Sequence, residues 1–272
     1  MAAVGRTTVS SSSDDSFSEF FDAALTIIDA AKKMDMPLRL LGATAIYYQC
    51  PKSTLLADMM KRNLTDLDFV ALSKHVSRIP ELFSRLQYVP NERVNTLYGA
   101  NRQIYFDPRN SRSVDIFFDK LSFNHEIDLS KRLHIDPVTI SLADLLLEKL
   151  QIVKMSEKDA KDVIVLLHEH GLDGPGGAVD AGYVAKLLSD DWGFFHTATM
   201  NLTKVKDYLT GIQSMPQQDK ALVSGRIEDL ALRIESEKKS FKWKMRARVG
   251  TRAPWYNEAE DVENRKLSGG DV

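Results

Sequence analysis

Apolar positions in the first half of the chain alternate between a helical period and short buried runs. Phe20, Phe21, Leu25, Ile27 and Ile28 recur at near-helical spacing, which predicts a helix over residues 17–34. Leu38–Leu41 is a short apolar run that stops at Gly42, and residues 43–48 then read as a helix: a strand, a glycine turn and a helix start. Residues 69–72 read as a second buried strand, approached through the polar stretch 61–65. Residues 103–106 and 114–118 form an expected hairpin around DPRNSRS, which supplies Asp, Pro and Asn for the turn.

After Pro137 the pattern becomes helical throughout. Residues 141–155, 157–170, 181–188, 202–212 and 217–239 all read as helices, with GLDGPGG at 171–177 as a punctuating loop. There is no internal repeat and no heptad run. The expected fold is α/β, a small mixed sheet flanked by helices, followed by a helical C-terminal region. The expected divisions are a disordered leader (1–16), a core (17–140), a helical C-terminal region (141–250) and a tail (251–272). The boundary falls near 137–141, with the later helices free to pack directly on the sheet.

Composition narrows the class of protein. A chain of 272 residues, 43% hydrophobic, is long enough for one sizeable core, alone or with a smaller satellite domain. Lys+Arg 36 against Asp+Glu 38 gives a formal charge of -2, so any nucleic-acid contact must come from a local patch. The single cysteine, Cys50, excludes an intrachain disulfide and fits a reducing compartment. No apolar run reaches the ~18–20 residues of a membrane span. The Ser/Thr-rich start lacks a secretory apolar stretch, so a cytoplasmic protein with no membrane partner is expected.

Candidate chemistry centres on acids. Asp66 and Asp68 stand two apart at the mouth of an apolar strand, so alternation projects both carboxylates from one face and Leu67 and Phe69 from the other. Such close like charges repel, and a hard divalent cation, Mg²⁺ or Mn²⁺, relieves the repulsion. Alone, the pair reads equally well as a solvated strand end. Asp115 in VDIFF is harder to dismiss, because an unpaired buried charge is costly. If its strand neighbours that of Asp66 and Asp68, ~4.8 Å away, Asp115 can join the same metal cluster. Phosphatases of the haloacid type also use D-x-D, but after an apolar strand and not before one.

Gly42 follows a strand and opens a helix, which offers backbone N–H groups to anionic oxygens, and Thr44 adds a hydroxyl; glycine turns after strands are also common without any ligand. Lys149 falls in the middle of the apolar arc of Leu142, Leu145, Leu146, Ile152 and Val153. Its amine is either paired, turned into a site, or reaching water along an apolar stem. In SEKDAKD, Ser156 and Asp159 form a capping-box-like helix start, a structural role. Asp162, one turn on, faces either the site and Lys149 or solvent.

In order and spacing these elements resemble the nucleotidyltransferases of the AbiEii type, within the DNA polymerase β-like superfamily. GATA at 42–45 stands for the Gly-Gly-Ser/Thr turn, TDLDF at 65–69 for the paired carboxylates and VDIFF for the third. LLLEKLQI carries the helical lysine, and EKDAKD gives Lys158, Asp159 and Asp162 for the K-D-x-x-D motif. The resemblance covers roughly residues 38–168. It implies a minimal nucleotidyltransferase fold with Asp66, Asp68 and Asp115 as metal ligands and Lys149 as a further catalytic group. Nucleotide-binding positions would be Gly42, Ala43, Thr44, Lys158, Asp159 and Asp162. It further implies a nucleoside triphosphate as donor, tRNA or protein as acceptor, and a toxin role with a cognate antitoxin. The sequence departs from the family pattern at Ala43, where the turn has its second glycine; this hinders close approach to a phosphate and favours a binding-only protein on the same fold. A transferase for small hydroxyl compounds is the other rival.

Outside that stretch, His168 and His170 lie two apart on a helix and make a poor metal pair; His125 reads as a lone strand-edge histidine. Gly174–Gly177 has no preceding strand and is not a dinucleotide loop. Between 238 and 252, Lys238, Lys239, Lys242, Lys244, Arg246, Arg248 and Arg252 occur with no acid among them, and Phe241, Trp243 and Trp255 lie within or beside them. Lys242, Lys244, Arg246 and Arg248 are candidate RNA contacts, since basic groups bind phosphates and aromatics stack on bases. A basic helix packing its aromatics inward, or an acidic partner, fits the same pattern.

Overall fold

A computed structural model describes residues 12–53, 56, 59–174 and 177–258. Among them are ten α-helices, a five-stranded mixed sheet and a two-stranded ribbon. Helix α1 (Ser12–Lys33) buries Phe17, Ala24, Ile27, Ile28 and Ala31 along one stripe. It starts at Ser12, inside the stretch expected as a leader; residues 1–11 lie outside the described part. Strand β1 (Leu38–Leu41) runs into α2 (Gly42–Gln49), as its apolar run and glycine predict.

Strand β2 (Asp66–Ala71) takes the aspartates into the strand itself, and not only to its mouth. Then come α3 (Ile79–Arg85), β3 (Val89–Pro90), α4 (Glu92–Tyr98), and the hairpin β4 (Arg102–Asp107) and β5 (Arg112–Phe118). The sheet order is β1-β2-β5-β4-β3, with β2 and β5 parallel and every other pair antiparallel. Pro90 sits on the edge strand, where a missing N–H is tolerated. The ribbon β6 (Lys120–Ser122) and β7 (Glu126–Asp128) follows.

The helices of the second half are α5 (Leu142–Leu150), α6 (Glu157–Glu169), α7 (Ala181–Leu188), α8 (Trp192–Gly211), α9 (Gln217–Ser236) and α10 (Phe241–Val249). Helix α5 ends earlier than its periodicity predicts. Asn201 Nδ2 donates to the carbonyls of Leu150 and Ile152 at 2.9 and 2.8 Å, and Asn124 Oδ1 accepts from Val153 N, so the chain leaves the helix with its polar groups paired. Helix α8 starts ten residues before the expected 202, because Asp191 caps it by accepting from Phe194 N.

The segment expected as a domain boundary is stitched into the sheet. Leu40 N donates to Val138 O at 2.8 Å and Ile140 N donates to Leu40 O at 3.0 Å, which covers the open edge of β1. One hydrophobic core runs from Phe17 through the sheet to Ile234, so residues 17–140 and 141–250 share their interior. No helix among the described residues is long and apolar enough to cross a membrane.

Candidate functional site

In the parallel ladder of β2 and β5, Asp68 lies directly opposite Asp115. Residues paired across a ladder share a sheet face, and alternation adds Asp66 to it. The expected convergence of the three carboxylates on one face is therefore present. Asp66 is exposed, Asp68 half-buried and Asp115 buried.

The turn at Gly42 closes over this face. Gly42 has φ +72°, and a Cβ there would stand 2.5 Å from Asp68 Oδ2, so only glycine fits. Its N–H donates to Glu148 Oε2 at 3.0 Å. Burial, then Asp66, Asp115 and Glu148, push the Asp68 carboxyl well above the usual carboxylate range, with Lys149 partly opposing them. Thr44 is buried and spends its hydroxyl proton on Asp66 O, at 3.1 Å, tying α2 to β2. Ala43 packs against the core.

Asp115 is met by a cation that the sequence reading missed. Arg102, on β4, donates from Nε to both Asp115 oxygens at 2.9 Å and from a terminal nitrogen to Oδ2. Among the described residues no group of three or more His, Cys, Asp or Glu is arranged to hold a metal ion. The guanidinium takes both oxygens of the third expected ligand. Arg102 pairs across the hairpin with Phe117, two residues from Asp115, so the offset was readable from the hairpin register.

Behind the turn lies a buried ionic network. Lys149 Nζ stands 3.5 Å from Glu148 Oε1, 3.4 Å from Asp162 Oδ2 and 3.9 Å from Asp159 Oδ1. Burial pushes the ammonium down, but Glu148, Asp162, Asp159 and Asp68 outweigh it and leave the group raised and charged. Asp162 also takes a two-pronged bond from Arg62, at 2.8 and 3.0 Å. Of the alternatives for Lys149, pairing is the one realised: its amine holds Glu148, and Glu148 holds the Gly42 turn. Asp159 closes a capping box with Ser156, and Lys158 is exposed. Glu148 shares the buried helix face that singles out Lys149, so the same argument applies to it; Arg62 lies in a loop with no periodic signal.

The connected set holds six carboxylates (Asp66, Asp68, Asp115, Glu148, Asp159, Asp162) and three cations (Arg62, Arg102, Lys149). Such an excess on a half-buried face favours an added cation, and Asp66 and Asp68 are hard oxygen donors suited to Mg²⁺ or Mn²⁺. Asp66 and Asp68 are therefore the oxygen donors this face could offer such an ion, while Asp115 is held by Arg102.

The other candidates resolve as packing groups. His168 Nδ1 is 3.1 Å from Ser53 Oγ, and His170 bonds to the carbonyls of Gly177 and Gln49. His125 is buried against Phe194, with Nε2 2.8 Å from Thr197 Oγ1. In the basic stretch, Lys242, Lys244 and Arg248 are exposed. Arg246 is not a free contact: it donates to the carbonyls of Gly250, Ala253 and Pro254 and lies 4.9 Å from the centre of the Trp192 ring. Lys239 and Arg252 likewise cap carbonyls of α9 and α10. Comparison with protein-family models, with curated proteins and with solved structures finds no match.

Proposed function

We propose that the chain is a metal-dependent nucleotidyltransferase, moving a nucleoside monophosphate from a triphosphate to an acceptor hydroxyl with release of pyrophosphate. The observation that supports it is the pairing of Asp68 with Asp115 on adjacent parallel strands, on the face that Asp66 shares and Gly42 closes. Asp66, Asp68 and Asp115 would hold Mg²⁺ or Mn²⁺, which supplies charge to the triphosphate and lowers the pKa of the acceptor hydroxyl. The start of α2 at the glycine turn would meet phosphate oxygens once Glu148 gives up the Gly42 N–H. Lys149 acts by positioning: through Glu148 it holds that turn. Arg102, released from Asp115, is placed to meet charge on the triphosphate.

The Arg102–Asp115 pair also favours a second reading, a nucleotide-binding protein without transfer, and so does Ala43. A toxin role, with a cognate antitoxin and with tRNA or protein as acceptor, belongs to the first reading and rests on the resemblance. Incubation with each α-labelled triphosphate and Mg²⁺, against tRNA, protein extract and small hydroxyl compounds, separates these. Label on an acceptor that disappears with Asp68→Asn supports transfer. Binding without label on any acceptor supports the second reading.

A further inference from the structure

All three tryptophans of the chain, Trp192, Trp243 and Trp255, line one cavity of about 370 Å³ between the start of α8, α10 and the strap that follows it. Tyr256 and the carboxylate of Asp190 complete one side, and Lys242 stands on the rim. The size is that of a small-molecule site.

The strap is held in place by specific bonds. Arg246 holds the carbonyls of Gly250, Ala253 and Pro254. Asn257 N donates to Asn124 O at 2.9 Å, and Asn124 Nδ2 returns a bond to Asn257 O at 2.7 Å. Trp255 Nε1 donates to Thr197 Oγ1. A Cβ on Gly193 would stand 2.2 Å from Trp255 O, so this glycine is what lets the strap lie against α8. The indole N–H of Trp243 is buried with no hydrogen-bond partner among the described residues, a cost that core packing does not explain.

Charge decides which ligand fits. Aromatic faces beside carboxylates suit an organic cation, but here Lys242 and Arg246 share the lining with Asp190 and Asp191, and the Arg246 guanidinium already lies over Trp192. A flat ring carrying an anionic group uses every feature instead. Trp192 is already covered by His196 and Arg246, so the ring would lie against Trp243 and Trp255, an exocyclic amine would donate to Asp190, and a phosphate would meet Lys242.

We infer that this cavity binds a nucleoside monophosphate unit, either free or as a residue of single-stranded RNA, at a site separate from the acidic face. None of its residues belongs to the Asp66–Asp68–Asp115 set, so it stands or falls independently of the transferase reading.

Because every tryptophan lines the cavity, intrinsic fluorescence reports on it. The test titrates the full chain, in EDTA, with adenosine, AMP, GMP, CMP, UMP and a short single-stranded RNA. The expected result is saturable quenching by at least one monophosphate or by the RNA. Monophosphates alone would identify a free nucleotide, and RNA alone a strand residue. Lys242→Gln, an exposed change that leaves the fold intact, should weaken AMP about tenfold (~1.4 kcal/mol) while leaving adenosine unchanged. Trp243→Leu should abolish quenching, and Asp66→Asn with Asp68→Asn should leave it intact. The inference is overturned by quenching with tetramethylammonium but no nucleotide, by no saturable quenching at all, by loss in the double Asn variant, or by equal weakening of AMP and adenosine in Lys242→Gln.

Discussion

On the sheet face and in the ionic network behind it six carboxylates share three cations, and the burial of Asp68 among acids raises its pKa. Around the C-terminal cavity the reverse holds. Arg246, Lys239 and Arg252 are spent on backbone carbonyls, and His125 in the wall is pushed down to about 4 by burial, so it stays neutral. One region carries more acid than base. The other has its inner cations on carbonyls, with Lys242 and Asp190 exposed beside the aromatic surface. The difference gives experiments that separate the two regions.

The largest expected effect is on stability. Asp162→Ala leaves Arg62 and Lys149 buried with too few counter-charges, and should cost about 3–5 kcal/mol in urea unfolding. Lys149→Met should also destabilise, since Glu148 and Asp162 then lose their shared cation. A variant as stable as the parent would show that the network is solvated.

Next in size, the two regions should respond oppositely to acid. His125 has its folded pKa lowered from 6.5 to about 4, so the unfolded chain binds the extra proton between those values. Its contribution is full above pH 6.5 and is lost as pH falls to about 4, a change of about 3 kcal/mol. Asp68 has its folded pKa raised above 3.8, so the folded chain binds the extra proton and stability falls as pH rises through that window. His125→Phe should flatten the acid limb; Asp68→Asn should raise the melting temperature at neutral pH and remove the opposing trend. Unchanged pH profiles in both variants would contradict the contrast.

Gly193→Ala should lift the strap from α8, costing about 1–3 kcal/mol and red-shifting the tryptophan emission, with triphosphate binding at the sheet unaffected. The smallest effect belongs to Lys158→Gln. Lys158 matches the family motif but is exposed, so stability should change by less than about 0.5 kcal/mol. A large loss of triphosphate binding in that variant would bring Lys158 into the site.

Periodicity and punctuation carried most of the fold: the α1 stripe, the β1–Gly42–α2 turn, the β4–β5 hairpin and α7 all stand where apolar spacing puts them. What was missed or left open was set by distant partners. The end of α5 depends on Asn201 and Asn124, and the segment near 137–141, where the later helices were left free to pack on the sheet, covers the edge of β1. In the candidate site, alternation sufficed to bring Asp66, Asp68 and Asp115 to one face. Arg62 was not read, because an arginine in a loop looks like any solvated charge until its partner is placed; Arg102 was missed although the hairpin register offers it. The cavity was half visible, as aromatics among basic residues, but Trp192 reaches it only through the tertiary fold.

The most direct test of the acidic face is thermal unfolding with a nucleoside triphosphate, with and without Mg²⁺ or Mn²⁺. The account predicts a metal-dependent rise in melting temperature, over and above any shift that the triphosphate alone gives by entering the C-terminal cavity, since a ligand that binds the folded state alone stabilises it. The shift should vanish in Asp66→Asn with Asp68→Asn and persist in Lys242→Gln. A metal-dependent shift that survives the double Asn variant would place the triphosphate elsewhere and contradict the central claim.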